Sequence, residues 1–350
     1  MAETRGTVVV ALVANVGVAI VKVAGGLVSG SSALLSEAAH SIADTLNEVF
    51  LLLSLKKAER PADRTHPFGY GKERFFWSLL AAVGIFVSGA GYSAYQGISA
   101  LRGHEPPPTT REFVIVYAVL GLSLVIEGWS LRTAVSQVRE EAGRAQRAPL
   151  QFIRRSPDPT VKTVASEDSV AVLGVLVALV GTALHQLTGS VVWDGLASLA
   201  IAALLAYVAV ILGRDTKELL IGESADPKIR LIAHDVLQDS PEVTEIAELL
   251  TMQLGPTSVL LAARVQFDES ITAGRLTDVC TAIETEMRRR VPELTQVFLD
   301  PSRVSDQDRA THRERLGRTE AEVTELDGDD AVTNIRSRTG RRVAERGRSG

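Results

Sequence analysis

Two ionisable residues four apart, His40 and Asp44, stand inside an apolar segment of bilayer-spanning length, in the run Ser36-Glu37-Ala38-Ala39-His40-Ser41-Ile42-Ala43-Asp44-Thr45-Leu46-Asn47-Glu48. On a helix that spacing points both side chains the same way, with Asn47 one further turn along the face. Ionisable groups in a membrane helix are costly and mark an ion path, a proton relay or a partner across the bundle. An imidazole and a carboxylate at this spacing supply nitrogen and oxygen donors suited to Zn²⁺, Fe²⁺, Mn²⁺ or Co²⁺. They equally suit a proton relay or a hydrogen-bonded stitch between helices.

A second group is Glu167-Asp168, near the start of a later apolar segment. Adjacent helical residues differ by about 100° in direction, so one acid faces the site and the other lies beside it. The alternative is that both acids merely favour the positive end of a helix that begins there. Asn15, Lys22, Glu127 and Asp194 are also polar at membrane depth, and each reads first as structural: Lys22 snorkelling, Glu127 pairing with Arg132, Asp194 capping its helix. In the loop Asp63-Arg64-Thr65-His66-Pro67-Phe68-Gly69-Tyr70-Gly71-Lys72, Asp63 and His66 are weaker metal candidates three residues apart.

The elements that must position these groups follow from hydropathy. The whole chain of 350 residues is 46% hydrophobic and 23% charged with net charge −5, which gives no basic excess for nucleic acid. Those averages hide a split between long apolar runs before about residue 213 and a charged remainder. Six segments can each cross a bilayer: Thr7 to Val28, Ser32 to Leu55, Phe75 to Leu101, Phe113 to Val138, Thr163 to Leu187 and Val191 to Leu212. The first reads as a retained span and not as a cleavable signal. Lys56, Lys57, Arg60, Arg64, Lys72 and Arg74 follow the second span, and Arg139, Arg144, Arg147, Arg154, Arg155 and Lys162 follow the fourth; the other side offers little beyond Arg102 and Arg111. Both termini are therefore expected in the cytoplasm.

After residue 213 the pattern becomes helix, strand, strand, helix, strand, a small αββαβ module of α+β class. The expected organisation is a short cytosolic segment over 1–6, an all-α six-helix transmembrane domain over 7–213, a cytosolic α+β domain over 214–303, and a disordered charged tail over 304–350. The lone Cys280 excludes an internal disulfide framework and a cysteine-rich zinc module, and reads as a free buried thiol.

Six spans, His40-x-x-x-Asp44 within Gly30-Ser31-Ser32-Ala33-Leu34-Leu35-Ser36-Glu37-Ala38-Ala39-His40-Ser41-Ile42-Ala43-Asp44, the loop His66-Pro67-Phe68-Gly69-Tyr70-Gly71-Lys72 and a small cytosolic module together resemble the cation diffusion facilitator family. Over roughly residues 7–303 the resemblance implies a homodimeric exporter of Zn²⁺ or a related divalent ion, usually exchanging it for protons. It also implies a four-ligand transport site from helices two and five. His40 and Asp44 match the first pair. Registering on Gly174 places Asp168 at the second acid, while Val164 falls where a histidine is usual, so Glu167, Asn47 or water must complete the shell. The adjacent Glu-Asp resembles a branch of the family that includes mitochondrial zinc transporters. With one imidazole fewer, oxygen donors weigh more, which favours Fe²⁺ or Mn²⁺ relative to typical zinc carriers.

The module resembles the family's metallochaperone-like dimerisation domain, with Ala247, Ala263 and Phe298 where some members carry zinc-binding histidines and with Asp300 matching an acid. In the loop, Asp63 and His66 match and Tyr70 replaces a second histidine. Lys72 matches a lysine that pairs with an acid just after helix six, for which Glu223 is the available partner at the dimer or its hinge.

Metal ligands must be deprotonated, so metal and protons displace one another, and an imidazole switches near physiological pH. The expectation is an efflux carrier for a divalent cation, zinc foremost, in the plasma membrane, with metal and protons as substrates. It needs no covalent step, hence no enzyme, and no cofactor beyond the transported ion. A proton-coupled carrier of another substrate and a membrane-anchored metal sensor are the alternatives.

Overall fold

The computed structural model describes residues 2–103, 109–144, 148–155, 159–327 and 332. The chain divides into two compact units, Met1–Leu220 and Ile221–Gly350.

The first unit is helical: α1 (Ala2–Ser29), α2 (Ser32–Ala58), α3 (Glu73–Arg102), α4 (Thr110–Arg144), a short α5 (Pro149–Arg155), α6 (Pro159–Thr188) and α7 (Val192–Ile221). Among the described residues α3, α4, α7 and the Glu167–Thr188 part of α6 are long and apolar enough to cross a membrane. In α1 the apolar stretch Asn15–Ser29 is shorter. In α2, Glu37, His40, Asp44 and Glu48 interrupt the apolar run, so the helix that carries the candidate chemistry has the weaker hydropathy signal. The six long helices make the membrane bundle. Its centre is packed by Leu34, Ile85, Leu120, Val175, Ile201 and Leu205, all nearly inaccessible. Large apolar side chains such as Leu27, Val87, Val125, Trp129 and Tyr207 point outward, as a surface solvated by lipid requires.

Local sequence explains how α2 is seated. Gly30 turns the chain at φ 68°, in the left-handed region that favours glycine. Ser31 then caps α2, its hydroxyl accepting from the Leu34 amide at 3.2 Å. At Gly26 a Cβ would stand 2.7 Å from Leu35 Cδ2, so the missing side chain lets α1 and α2 close on each other. Residues Ile85–Gly91 of α3 form a π-helical segment, a feature often found at functional sites. Its Gly89 faces Ala43, the residue before Asp44.

The second unit runs α8 (Pro227–Gln238), β1 (Val243–Gly255), β2 (Ser258–Phe267), α9 (Ala273–Arg290), β3 (Leu294–Pro301) and α10 (Asp306–Asp327). Asp226 caps α8 through the Lys228 amide at 2.9 Å, with Pro227 at the first helical position. The strand order is β1-β2-β3, with β1 antiparallel and β3 parallel to β2, and α9 makes the crossover that a parallel pair needs. Leu237, Val259, Leu261, Val265, Ile283 and Met287 fill the core. Ala247 and Ala263 are buried, Phe298 is half exposed, and Asp300 Oδ2 lies 3.4 Å from Arg264 Nε. Cys280 is free and partly buried against this core.

The expected disordered tail over 304–350 needs correction: α10 extends the αββαβ order by a helix. Its polar composition conceals long-range partners. Arg309 pairs with Glu245 at 2.5 Å, Arg315 with Glu248 at 2.7 Å and Glu322 with Arg230 at 2.6 Å, while Val323 is buried against the module. The remainder of the tail, apart from residue 332, lies outside the described residues.

Candidate metal centre

His40 is buried in the first half of α2, with Nδ1 3.4 Å from Asp44 Oδ1, as the four-residue spacing dictates. Among the described residues neither ring nitrogen of His40 has a hydrogen-bond partner, and neither does Asp44 Oδ1. One turn on, Asn47 Nδ2 donates to Glu167 Oε2 at 2.7 Å, which ties α2 to α6 beside the pair, and Glu167 Oε1 is again buried without a partner. Asp168 turns toward α4, where Ser130 Oγ donates to its Oδ2 at 3.2 Å. The neighbouring acids thus point to different helices, Glu167 to α2 and Asp168 to α4. Among the described residues no three His, Cys, Asp or Glu groups converge on one point. The chain here is a set of nitrogen and oxygen donors ranged around α2, not a closed coordination shell. Leaving each such atom buried and unbonded costs about 1–3 kcal/mol, which a cation or proton at the centre would recover.

Three residues behave differently from their sequence reading. Lys22 does not snorkel: it is fully buried, with Nζ 3.0 Å from Glu37 Oε2 and 2.5 Å from Glu127 Oε1. Glu127 therefore pairs with Lys22 and not with Arg132. Asp194, 3% exposed, accepts from Ser31 Oγ at 2.8 Å and Thr182 Oγ1 at 3.5 Å, so it joins α7 to the start of α2 and to α6 instead of capping its own helix. Asn15 Nδ2 donates to Glu48 Oε1 at 2.8 Å. Glu37 carries no chemical signal of its own in the sequence. Its signal is Lys22, a lysine too far inside an apolar run to reach water, which demands a buried anion.

The loop pair is built otherwise. His66 Nδ1 lies 3.7 Å from Asp63 Oδ1, and the two side chains are 50% and 46% exposed. Tyr70 OH donates to Asp63 Oδ2 at 2.7 Å, and the Thr65 and His66 amides donate to Oδ1 at 2.9 and 2.7 Å. Those bonds, the tyrosine's foremost, hold the Asp63 carboxyl below its ordinary value and raise the Tyr70 phenol. The His66 and Tyr70 rings lie tilted against each other with centroids 4.3 Å apart, and the Arg60 guanidinium sits over the Tyr70 ring at 4.8 Å. A turn satisfied by its own hydrogen bonds has no need of an ion. Lys72 Nζ donates to the Leu220 carbonyl at 3.2 Å, and the Glu223 carbonyl accepts from the Gln253 amide at 2.9 Å.

Residues 8–221 match the cation efflux transmembrane domain. The chain is 35% identical over 240 residues to the proton-coupled zinc antiporter SLC30A9, mitochondrial, of Xenopus laevis, covering 69% of this chain and 42% of that protein. It is 32% identical over 240 residues to metal tolerance protein C4 of Arabidopsis thaliana, covering 69% and 52%. Against the manganese efflux system protein MneP of Bacillus subtilis it is 25% identical over 296 residues, covering 85% and 95%. The match to the antiporter thus spans less than half that relative's length. The matched domain takes in α2, α4 and α6 with His40, Asp44, Glu167 and Asp168, and the chain belongs to the cation efflux family, the cation diffusion facilitators.

Proposed function

We propose that the chain carries divalent metal cations out of the cytosol, zinc foremost, in exchange for protons. The observation that carries this reading is the buried, unpartnered donor set of α2 and α6: His40 Nδ1 and Nε2, Asp44 Oδ1 and Glu167 Oε1. His40 and Asp44 take the ion, and Glu167, oriented by Asn47, or Asp168, oriented by Ser130, closes the shell. Which acid closes it sets the balance between zinc and harder ions such as Mn²⁺. The printed names of the relatives, a proton-coupled zinc antiporter and a manganese efflux protein, support the same substrate class. Since a metal ligand must be deprotonated, protons entering from outside would release the ion, and rocking of the helices would alternate access. The protein works in this reading as a homodimer in the plasma membrane with both termini cytoplasmic. The α+β module serves as the dimer contact.

A metal panel in proteoliposomes tests the reading. Wild type should move Zn²⁺, and Glu167→Ala and Asp168→Ala should differ in which metals they still move. Absence of saturable divalent flux in wild type would overturn it.

A further inference from the structure

The polar groups of the bundle lie at three levels. Along α2 and its cap the order is Asp44, His40, Glu37, Ser31; on α4 it is Ser130, Glu127, Glu112; on α6 it is Asp168, Gly174, His185. Hydrogen bonds and contacts join residues of like level. Ser130 meets Asp168, Lys22 of α1 bridges Glu37 and Glu127, and a Cβ at Gly174 would collide with Glu37 Oε1. At the third level, where α1 meets α2 and α6 meets α7, lies a cavity of about 640 Å³ lined by Ser31, Glu112, Thr182, His185 and Asp194 among others. The middle level therefore separates the metal centre from the cavity. At a rise of about 1.5 Å per residue, Glu37 stands about 5 Å along α2 from His40 and about 9 Å from Ser31.

The middle level has the form of a cation site already holding a cation. Its carboxylates come from two helices and both grip one ammonium. Glu37 and Lys22 are fully buried. Among the described residues each carboxylate keeps one oxygen without a partner, Glu37 Oε1 and Glu127 Oε2, so the pair offers more acceptors than the lysine uses. With both acids ionised, the ammonium leaves one negative charge in excess, which a divalent ion in its place would cancel.

We propose that Glu37 and Glu127 form an exit station for the cargo cation, occupied in this conformation by the tethered ammonium of Lys22. The inference rests on the transport reading for the identity of the cargo. In it the lysine closes the route from the His40 centre to the cavity, and the departing divalent ion takes over the two carboxylates on its way to Asp194 and His185.

Calorimetry with Zn²⁺ and Mn²⁺ on the purified full chain tests it without any need for flux. In a His40→Ala/Asp44→Ala background, which lacks the metal centre, Lys22→Met should bind one divalent ion at the freed carboxylates. Lys22→Arg, which keeps a cation there, should bind none, and adding Glu37→Gln and Glu127→Gln to Lys22→Met should abolish the gained ion. A folded Lys22→Met protein that gains no ion overturns the exit station, as does a gained ion that survives both glutamine substitutions. Should Lys22→Met fail to fold, Lys22→Gln is read by the same outcomes. With the metal centre intact, Glu37→Gln should lower maximal efflux at least about tenfold and leave half-saturation on the cytosolic side within about twofold. An equal change in both overturns the proposal. Absence of flux in wild type counts against the transport reading alone.

Discussion

His40 with Asp44 and His66 with Asp63 are the same two residue types in the same unit, at nearly the same separation, 3.4 and 3.7 Å. The first pair is 2% and 16% exposed, with both imidazole nitrogens unbonded; the second is half exposed, and its carboxylate is bonded by Tyr70 and two amides. Donor identity and spacing are thus insufficient to make a cation site. Water satisfies exposed donors at no cost, whereas buried donors without partners favour whatever charge can satisfy them.

The sharpest way to break this contrast is to delete one imidazole from each pair. His40→Ala should lower divalent affinity and efflux by at least about 100-fold, the upper end of what even an outer partner of a metal ligand contributes. His66→Ala should change efflux less than about twofold, because an exposed pair contributes little. Proteoliposome flux at matched protein density decides, and similar losses in both would erase the distinction. Next in size, Asn47→Ala should weaken metal binding about tenfold by releasing Glu167 from its orientation, and Ser130→Ala should do the same through Asp168 if that acid is the closing ligand. Calorimetry on the two variants identifies the acid that closes the shell.

Two smaller effects concern pH outside the membrane. Asp63 is held below its ordinary value, so its hold on the loop is complete above about 3.8 and is lost only as pH falls through the lowered value. Tyr70→Phe should move the Asp63 titration upward in NMR while leaving efflux at neutral pH unchanged. In the second unit, His312 stacks on His234 at 5.4 Å, and burial, then the neighbouring His234 and Arg315, lower it from 6.5 to about 4. The unfolded chain binds that proton more readily, so the stability contributed is present above about 6.5 and is lost as pH falls toward about 4. Proteolysis within α10 should therefore speed up at pH 5 relative to pH 7.5 by more in wild type than in His312→Gln.

The sequence made the His40 and Asp44 pair, the six long helices of the first unit and the αββαβ order readable, because each is a local pattern: a four-residue spacing, an apolar run, an alternation. What it concealed depends on distance along the chain. Lys22 finds Glu37 fifteen positions and Glu127 over a hundred positions away, so its local window suggested only a snorkelling side chain. The helix α10 has few apolar residues of its own and is held by Glu245, Glu248 and Arg230 from far upstream, so composition pointed to disorder. The directions of Glu167 and Asp168 likewise required their partners, Asn47 on α2 and Ser130 on α4, to be known.

The central claim, that the buried donors around His40 exchange a divalent ion for protons, is tested most directly by following both in one vesicle preparation. Proteoliposomes loaded with a pH dye and a zinc dye receive an outward zinc gradient at zero membrane potential. In wild type, zinc leaving the vesicles should carry protons inward in a fixed ratio, and His40→Ala should abolish both signals together. Zinc flux that persists in His40→Ala, or that proceeds in wild type without proton counterflow, would contradict the account.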